Sequence, residues 1–225
     1  YEALATSAVS DFLGKAECIR FKRLARRVRQ HIPQGTFLDL GCGSGWFHQH
    51  FGNRDSVGFE LSKSDQFNFD SANQIFKGSF PEFARGSASR ANFDYVTAWD
   101  VVEHIADLDS VISGLRAVLK PGGWFFCSLP DASSWSAKFS GRKWNCLLLE
   151  HLWYFNPETL GMYLEKFGFE RVEISKLWYP AEISTIASRL AQTYHIPAVR
   201  LPRVIGQRVI NLPIGLMFGA FRRIG

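Results

Sequence analysis

The chain has 225 residues, 46% of them apolar and 15% aromatic, and a formal net charge of +5. That length suits one α/β domain with a sizeable core. So mild a charge is not the electrostatic footprint of a nucleic-acid binder, and no apolar run approaches the ~18 residues of a membrane span. The four cysteines (Cys18, Cys42, Cys127, Cys146) are scattered without a CxxC pair. Neither a zinc site nor a disulfide framework is expected, and a reducing, cytoplasmic compartment is. No secretory leader is read at the start, and the first residue, Tyr1, suits a trimmed chain. Twenty Phe and seven Trp predict a bulky core, a greasy pocket, or both.

In chain order, a helix is predicted over about Asp11 to His31, ended by Pro33 and Gly35. Within it, "RFKRLARRVRQ" places Phe21, Leu24, Ala25, Val28 and Ile32 on one face and basic residues over the rest. This reads as a solvated face rather than an anion-binding one. "TFLDL" is a short buried strand, followed at once by glycines, and "GWFHQHF" is a short helix. "SVGFEL", "NQIFKG" and "NFDYVTAWD" read as the second, third and fourth strands. "LDSVISGLRAVLK" has helical spacing, with "PGG" as its stop. "GWFFCSLP" is a fifth strand. "NPETLGMYLEKFGF" opens on an Asn156 cap with Pro157 in the first turn and breaks at Gly168. "FERVEISKLW" is a sixth strand, and residues 181–207 look helical. "LMFGAFRR" reads either as a last strand, antiparallel at an edge, or as an amphipathic tail.

Strands that alternate with helices and are nearly continuous in apolar residues imply a doubly wound, mostly parallel sheet covered on both faces. Ligands then sit beyond the carboxyl ends of the strands. The loop "GCGSG", Gly41 to Gly45, lies at such an end. Its glycines allow backbone angles that other residues resist, and they let a ligand reach main-chain N–H groups. A dinucleotide fingerprint requires GxGxxG, and Trp46 stands where its last glycine would be. About 20 residues after Gly41, the second strand ends in Glu60, a carboxylate able to accept from two ribose hydroxyls. After the third strand, Ser79 and Phe80 are placed to hold a flat base by hydrogen bond and stacking. A nucleoside with an anionic tail fits this set.

These residues carry a resemblance. "FLDLGCGSG" and "VGFELS" are similar to the first motif and the ribose-binding strand end of class I S-adenosylmethionine-dependent methyltransferases. "FDYVTAWDVVEHIADLDSVISGLRAVLKPGGWFFCSLPD" resembles their fourth strand, helix and fifth strand. "EHLWYFNPETLGMYLEKFGFE" looks like a subgroup containing ubiquinone-type O-methyltransferases and enzymes of surface-polysaccharide pathways. The resemblance covers about Thr36 to Val172. It implies a Rossmann-like α/β sheet of seven strands, the last antiparallel, in one domain over residues 1–225. Residues 1–33 would form an N-terminal helical region, 131–156 a substrate lid, and 181–210 a helical insertion before the last strand.

The implied cofactor is S-adenosyl-L-methionine. Gly41, Cys42, Gly43 and Gly45 would lie along its methionine moiety. Asp39 would brace the loop or reach the amino group, Glu60 would hold the ribose, and Leu61 would pack on the adenine. Trp99 and Asp100 would flank the methionine end. Ser79 departs from the pattern, since an acidic residue is common there.

Methyl transfer from a sulfonium is an in-line displacement, so alignment supplies much of the rate, on the order of 7–11 kcal/mol in favourable cases. A hydroxyl acceptor gains a further ~10²–10⁴-fold from a base. His151 is the candidate base and His104 the weaker one, expected to bond to backbone. Glu103 and Glu150 neighbour them. No metal is expected, because no His/Asp/Glu cluster recurs at helical or hairpin intervals. Trp135, Arg142, Trp144, Trp153 and Tyr154 are candidate substrate-binding residues in the lid, suited to a glycan-, lipid- or phosphate-bearing acceptor. The expected partner is a small-molecule acceptor, with peripheral membrane contact compatible and nucleic acid disfavoured. The alternatives are an NAD(P)-dependent oxidoreductase and a non-catalytic cofactor-binding scaffold.

Overall fold

The computed structural model describes residues 7–43, 45–52, 55–61, 68–70, 74–86, 92–194, 197 and 202–225. In chain order its elements are α1 (Ser7–His31), β1 (Phe37–Leu40), α2 (Trp46–Phe51), β2 (Val57–Leu61), β3 (Asn68–Asp70), β4 (Ile75–Gly78), α3 (Phe80–Arg85) and β5 (Phe93–Trp99). There follow α4 (Leu108–Val118), β6 (Leu119–Pro130), α5 (Trp135–Ser140), α6 (Pro157–Glu165), β7 (Phe169–Glu182), α7 (Ile183–Tyr194), α8 (Arg203–Gly206) and β8 (Val209–Arg223). The strands form one sheet in the order β3-β4-β2-β1-β5-β6-β8-β7. The seven expected strands are all present, and β3 adds a short edge strand antiparallel to β4.

β1 lies between β2 and β5 and is parallel to both. The strand order reverses at this point, so the crevice beyond the end of β1 is where such a sheet offers a binding site. β8 runs antiparallel to β6, with Trp124 opposite Arg222 and Pro130 opposite Leu216. "LMFGAFRR" is therefore the last strand and not a tail, and the strand begins earlier, at Val209.

The chain divides into two compact units. The larger holds Val28–Leu177 and Gly215–Gly225, and the smaller holds Trp178–Ile214 with the described residues of the first 27. In the larger unit, Leu38, Leu40, Val96, Ala98, Phe125, Cys127 and Leu129 point to one face of the sheet. They join residues of α3, α4 and α6 in a single buried cluster. Fully burying side chains of this size is worth ~1.5–3 kcal/mol each. Strand alternation turns Phe37, Asp39, Tyr95, Thr97 and Phe126 to the opposite face. There Phe37 stacks on Tyr95 at 4.8 Å, and His31 packs beside Trp124 at 5.0 Å.

The N-terminal cap of α6 is the one read from the sequence. Asn156 accepts from the N–H groups of Glu158 and Thr159 and Pro157 opens α6, but the helix ends at Glu165 with Lys166 as its C-cap, and Gly168, at φ +75°, ends the turn that follows. α4 also stops early, before "PGG". Leu119 is already extended and pairs with Phe93, and Lys120 forms an ion pair with Asp94 at 2.8 Å. These contacts replace the last helical turn, and β6 passes through the glycines with Gly122 at φ +74°.

In the smaller unit, Leu24 and Ala25 are buried, as the helix pattern required. Arg20 departs from the solvated basic face. It is buried, 3.4 Å from Glu17, with its guanidinium 5.6 Å from the Tyr179 ring. Residues 181 and 182 complete β7, α7 and α8 supply the expected helices, and positions 195, 196 and 198–201 of that expected insertion lie outside the described residues.

Candidate active site

The glycine loop leaves β1 on positive φ angles: Gly41 at +68°, Gly43 at +55° and Gly45 at +82°. Ser44, between the last two, lies outside the described residues. A methyl group on Gly41 would overlap both γ-carbons of Val101, with Cγ1 at 2.8 Å, whereas one on Gly43 would meet nothing within 4 Å. Gly41 therefore allows tight packing, and Gly43 opens a cradle. The loop's N–H groups are used differently from the sequence expectation. Those of Gly41 and Cys42 donate to the Phe59 carbonyl (2.7 and 3.2 Å), and that of Gly45 donates to Cys42. That of Gly43 donates to Glu60 Oε2 at 2.6 Å. The loop is thus fastened to the end of β2 and to the carboxylate itself. Burial, with the charges of Asp39 and Glu60, pushes the Cys42 thiol well above its ordinary range, so it is an inert group here.

Asp39 is buried on β1, and the Thr97 hydroxyl of β5 donates to its Oδ1 at 2.7 Å. Burial raises its pKa to about 7, the Thr97 bond opposes that, and the charge of Glu60 adds to it. Its observed brace is thus across the strands. Thr97 was missed by sequence reasoning, although its two-residue spacing from Trp99 puts it on the site's face.

At the end of β5, Asp100 holds a φ of +56°, a conformation that L-residues adopt at a cost of ~1–2 kcal/mol. Its carboxylate accepts from the Ser128 hydroxyl at 2.7 Å. Strain of this kind gathers at functional sites. Trp99 is buried against Phe47 and Phe218, and its indole N–H has no acceptor among the described residues.

At the end of β4, Ser79 is half-buried and precedes α3. Phe80 corrects the sequence reading. It is fully buried edge-on to Phe59 at 5.1 Å, because the first turn of α3 points it into the core, so its ring is not offered to a base. Leu61 is half-exposed at the end of β2.

The two histidines, 47 positions apart in sequence, meet edge to face with ring centroids 4.6 Å apart. His104 Nδ1 lies 3.1 Å from the Glu150 carbonyl, and His151 Nδ1 lies 2.8 Å from the Cys146 carbonyl. A carbonyl only accepts, so each Nδ1 carries a proton, which in a neutral ring leaves the lone pair on Nε2. Burial lowers the His151 pKa, with the Cys146 bond opposing it and His104 adding to it, and Asp100 is near enough to act on the ring. Glu103 is buried beside them, and one ligand atom each from Glu103, His104 and His151 lie within 4.8 Å of one another. Three such donors can accept a divalent cation. Sequence spacing could not reveal this, because the cluster forms only when residues 150–153 fold back onto the turn after β5.

Of the lid candidates, Trp144 is buried and packs by Tyr154, whose hydroxyl donates to the Leu148 carbonyl. Trp153 stacks on Phe155, and its indole N–H donates to Ile105 at 2.7 Å. Trp135 and Arg142 are exposed.

The profile of the family described as "Methyltransferase domain" matches residues 15–174. The chain belongs to the class I S-adenosylmethionine-dependent methyltransferases. The ubiquinone biosynthesis O-methyltransferase of Burkholderia pseudomallei is 21% identical to this methyltransferase over 163 residues, 66% of this chain and 70% of that protein. The protein of that name from Marinobacter nauticus is 27% identical over 158 residues, 63% and 66% of the two chains. Among solved structures, a putative methyltransferase in complex with the Trm112 methyltransferase activator of Haloferax volcanii aligns with TM-score 0.61 at 14% identity, covering 96% of this chain and 94% of that one. An Archaeoglobus fulgidus SAM-dependent methyltransferase aligns with TM-score 0.55 at 19% identity over 90% and 94%. These likenesses are of fold.

The methyl donor of the methyltransferase is S-adenosylmethionine, and the nicotinamide alternative falls with that assignment. The residues fit such a group: an open cradle at Gly43, a carboxylate at the end of β2 and a buried carboxylate on β1. The two glycines separate experimentally. Gly41→Ala is expected to lower stability by about 2–5 kcal/mol, from overpacking against Val101 added to left-handed strain. Gly43→Ala should lose only about 1–2 kcal/mol while weakening S-adenosylhomocysteine binding. Chemical denaturation beside calorimetry checks both, and equal destabilisation would refute the division of roles.

Proposed function

We propose that the methyltransferase acts on a hydroxyl of a small-molecule acceptor, of the sugar, lipid-linked glycan or quinol-like class, with His151 as general base. The observation that carries this reading is the His151 ring. It is held by the Cys146 carbonyl with its proton on Nδ1, is kept neutral by burial, and lies near Asp100 at the end of β5. The likeness to proteins named as O-methyltransferases supports it.

When bound, the donor supplies a methyl group on a sulfonium, which needs no further activation to leave. Glu60 holds the ribose and fixes the Gly43 loop. Asp39 meets the amino end, and Gly41, Cys42, Gly43 and Gly45 shape the methionine channel. Leu61 and Ser79 border the base, and Trp99 and Asp100 close the methionine end. His151 Nε2 takes the proton from the acceptor hydroxyl, and His104, packed edge-on, fixes the ring's orientation. Tyr154, 6.2 Å from His151 between ring centroids, and Trp144 behind it form the acceptor wall. Trp153 holds that wall to the core. The four cysteines, none of them in a disulfide, suit action in the cytoplasm.

The test is release of S-adenosylhomocysteine against a panel of hydroxyl acceptors, followed by His151→Ala on whichever acceptor turns over. Loss of ~10²–10⁴-fold is expected. Because the His151 pKa lies below its ordinary value, the wild-type rate should hold through neutral pH and fall on the acid side. That limb should vanish in the variant. Undiminished turnover in His151→Ala would dismiss it as the base. Loss of activity on chelation, restored by a divalent cation, would reassign Glu103, His104 and His151 to a metal. Cofactor binding with no turnover on any acceptor would favour a scaffold.

A further inference from the structure

Between β6 and α6 the chain carries an outward-facing apolar and basic surface that takes no part in the acceptor wall of Tyr154 and Trp144 proposed above. From Ala132 to Leu149 there are three cations, Lys138, Arg142 and Lys143, and no acidic residue. All three cations are exposed. Trp135 is 69% and Phe139 81% exposed, and Leu149 is fully so. Trp135 and Phe139 are four residues apart on α5 and stack with ring centroids 5.5 Å apart, so they form one apolar ridge.

The exposure has a structural cause. Ser134 caps α5 by accepting from the Ala137 N–H at 3.2 Å. Ser134 and Ser136 lie so close to Gly215 of β8 that a methyl there would overlap both hydroxyls. These small serines seat α5 on the strand, which turns Trp135 and Phe139 outward. Downstream, buried Trp144 and Cys146 pin the segment, and the Leu147 N–H donates to Trp144 at 2.9 Å. The ridge is thus held in water by a fixed backbone. Soluble proteins seldom leave large apolar groups so contiguous without a use.

We infer that this surface docks on a lipid bilayer containing anionic headgroups. Aromatic rings beside Lys and Arg suit the interface, where the rings enter the acyl boundary and the cations meet lipid phosphates. Between the buried Asp131 and the exposed Glu150 the segment carries cations only, which favours an anionic membrane over a protein partner of mixed charge. Docking does not depend on the acceptor assignment and is tested without turnover.

The experiment is sedimentation of the full chain with vesicles of phosphatidylcholine alone and of phosphatidylcholine with 30% phosphatidylglycerol, at ~0.05 and ~0.5 M salt, within the range over which screening acts. The wild type should bind the anionic vesicles at low salt, at least ~10-fold more tightly than the neutral ones, and detach at high salt. Reversing Lys138 and Arg142 to Glu should weaken partition on the order of 100-fold. Phe139→Ser should weaken it at least ~10-fold, with a thermal melt matching the wild type in each case. Failure to bind anionic vesicles, or unchanged binding in all of these variants, would overturn the inference. So would concentration-dependent self-association abolished by Phe139→Ser, which would assign the ridge to a second copy of the chain.

Discussion

Replacing Asp39 by asparagine is expected to stabilise the protein at pH 8 and to leave it nearly unchanged at pH 4. In the folded chain the Asp39 pKa is raised to about 7 from 3.8, chiefly by burial. The folded state therefore holds a proton that the unfolded state gives up. Wild-type stability from this group is complete below about pH 4 and is lost as pH rises through about 7, on the order of 4 kcal/mol in all. Asparagine has no such titration, and its Oδ1 still accepts from Thr97. Urea denaturation at several pH values should show the variant's advantage growing across that window. Parallel curves for the two proteins would end the argument. On the proposed role of Asp39 at the cofactor's amino group, the same substitution should also weaken S-adenosylhomocysteine binding at pH 8.

Glu60→Ala has the largest expected effect on ligand. Hydrogen bonds to a charged group are worth ~1.5–3 kcal/mol each. On the proposed ribose role of Glu60, losing two of them should raise the dissociation constant for S-adenosylhomocysteine at least ~100-fold. Glu60 is half-exposed, so folding should be little affected, yet Gly43 loses its 2.6 Å acceptor and the loop loosens. Glu60→Gln should fall between the two, since the amide oxygen can still accept from Gly43. Calorimetric titration decides it, and an alanine variant of wild-type affinity would remove the ribose assignment.

The sheet's centre was legible because β1, β2, β4 and β5 are short, mostly apolar runs closed by a glycine or a polar turn, and the N-terminal cap of α6 carries its own local chemistry. β3 was not legible: three residues, "NFD", carry no periodicity. The end of α4 was misjudged because Leu119 and Lys120 fit a helix locally, and their partners Phe93 and Asp94 lie over 25 positions away. The site was half legible. Glycines and Glu60 announce themselves by type and spacing. Phe80 did not reveal which way its ring turns, since that depends on how α3 lies against Phe59. The Glu103, His104 and His151 grouping depends on a fold-back that no local pattern encodes.

That fold-back has a bearing on how acceptor choice can change. The Glu103 carbonyl receives both the Leu152 and Trp153 N–H groups, at 2.7 and 3.2 Å, and Ile105 receives the Trp153 indole. Positions 150–153 are therefore clamped to the turn that follows β5, while the eighteen residues before them hang from a fixed post. On the reading proposed above, acceptors can be explored by exchanging that stretch as a cassette in which Trp144 and Cys146 are kept, because the Cys146 carbonyl holds the His151 ring and the Glu103 carbonyl holds the backbone beside it.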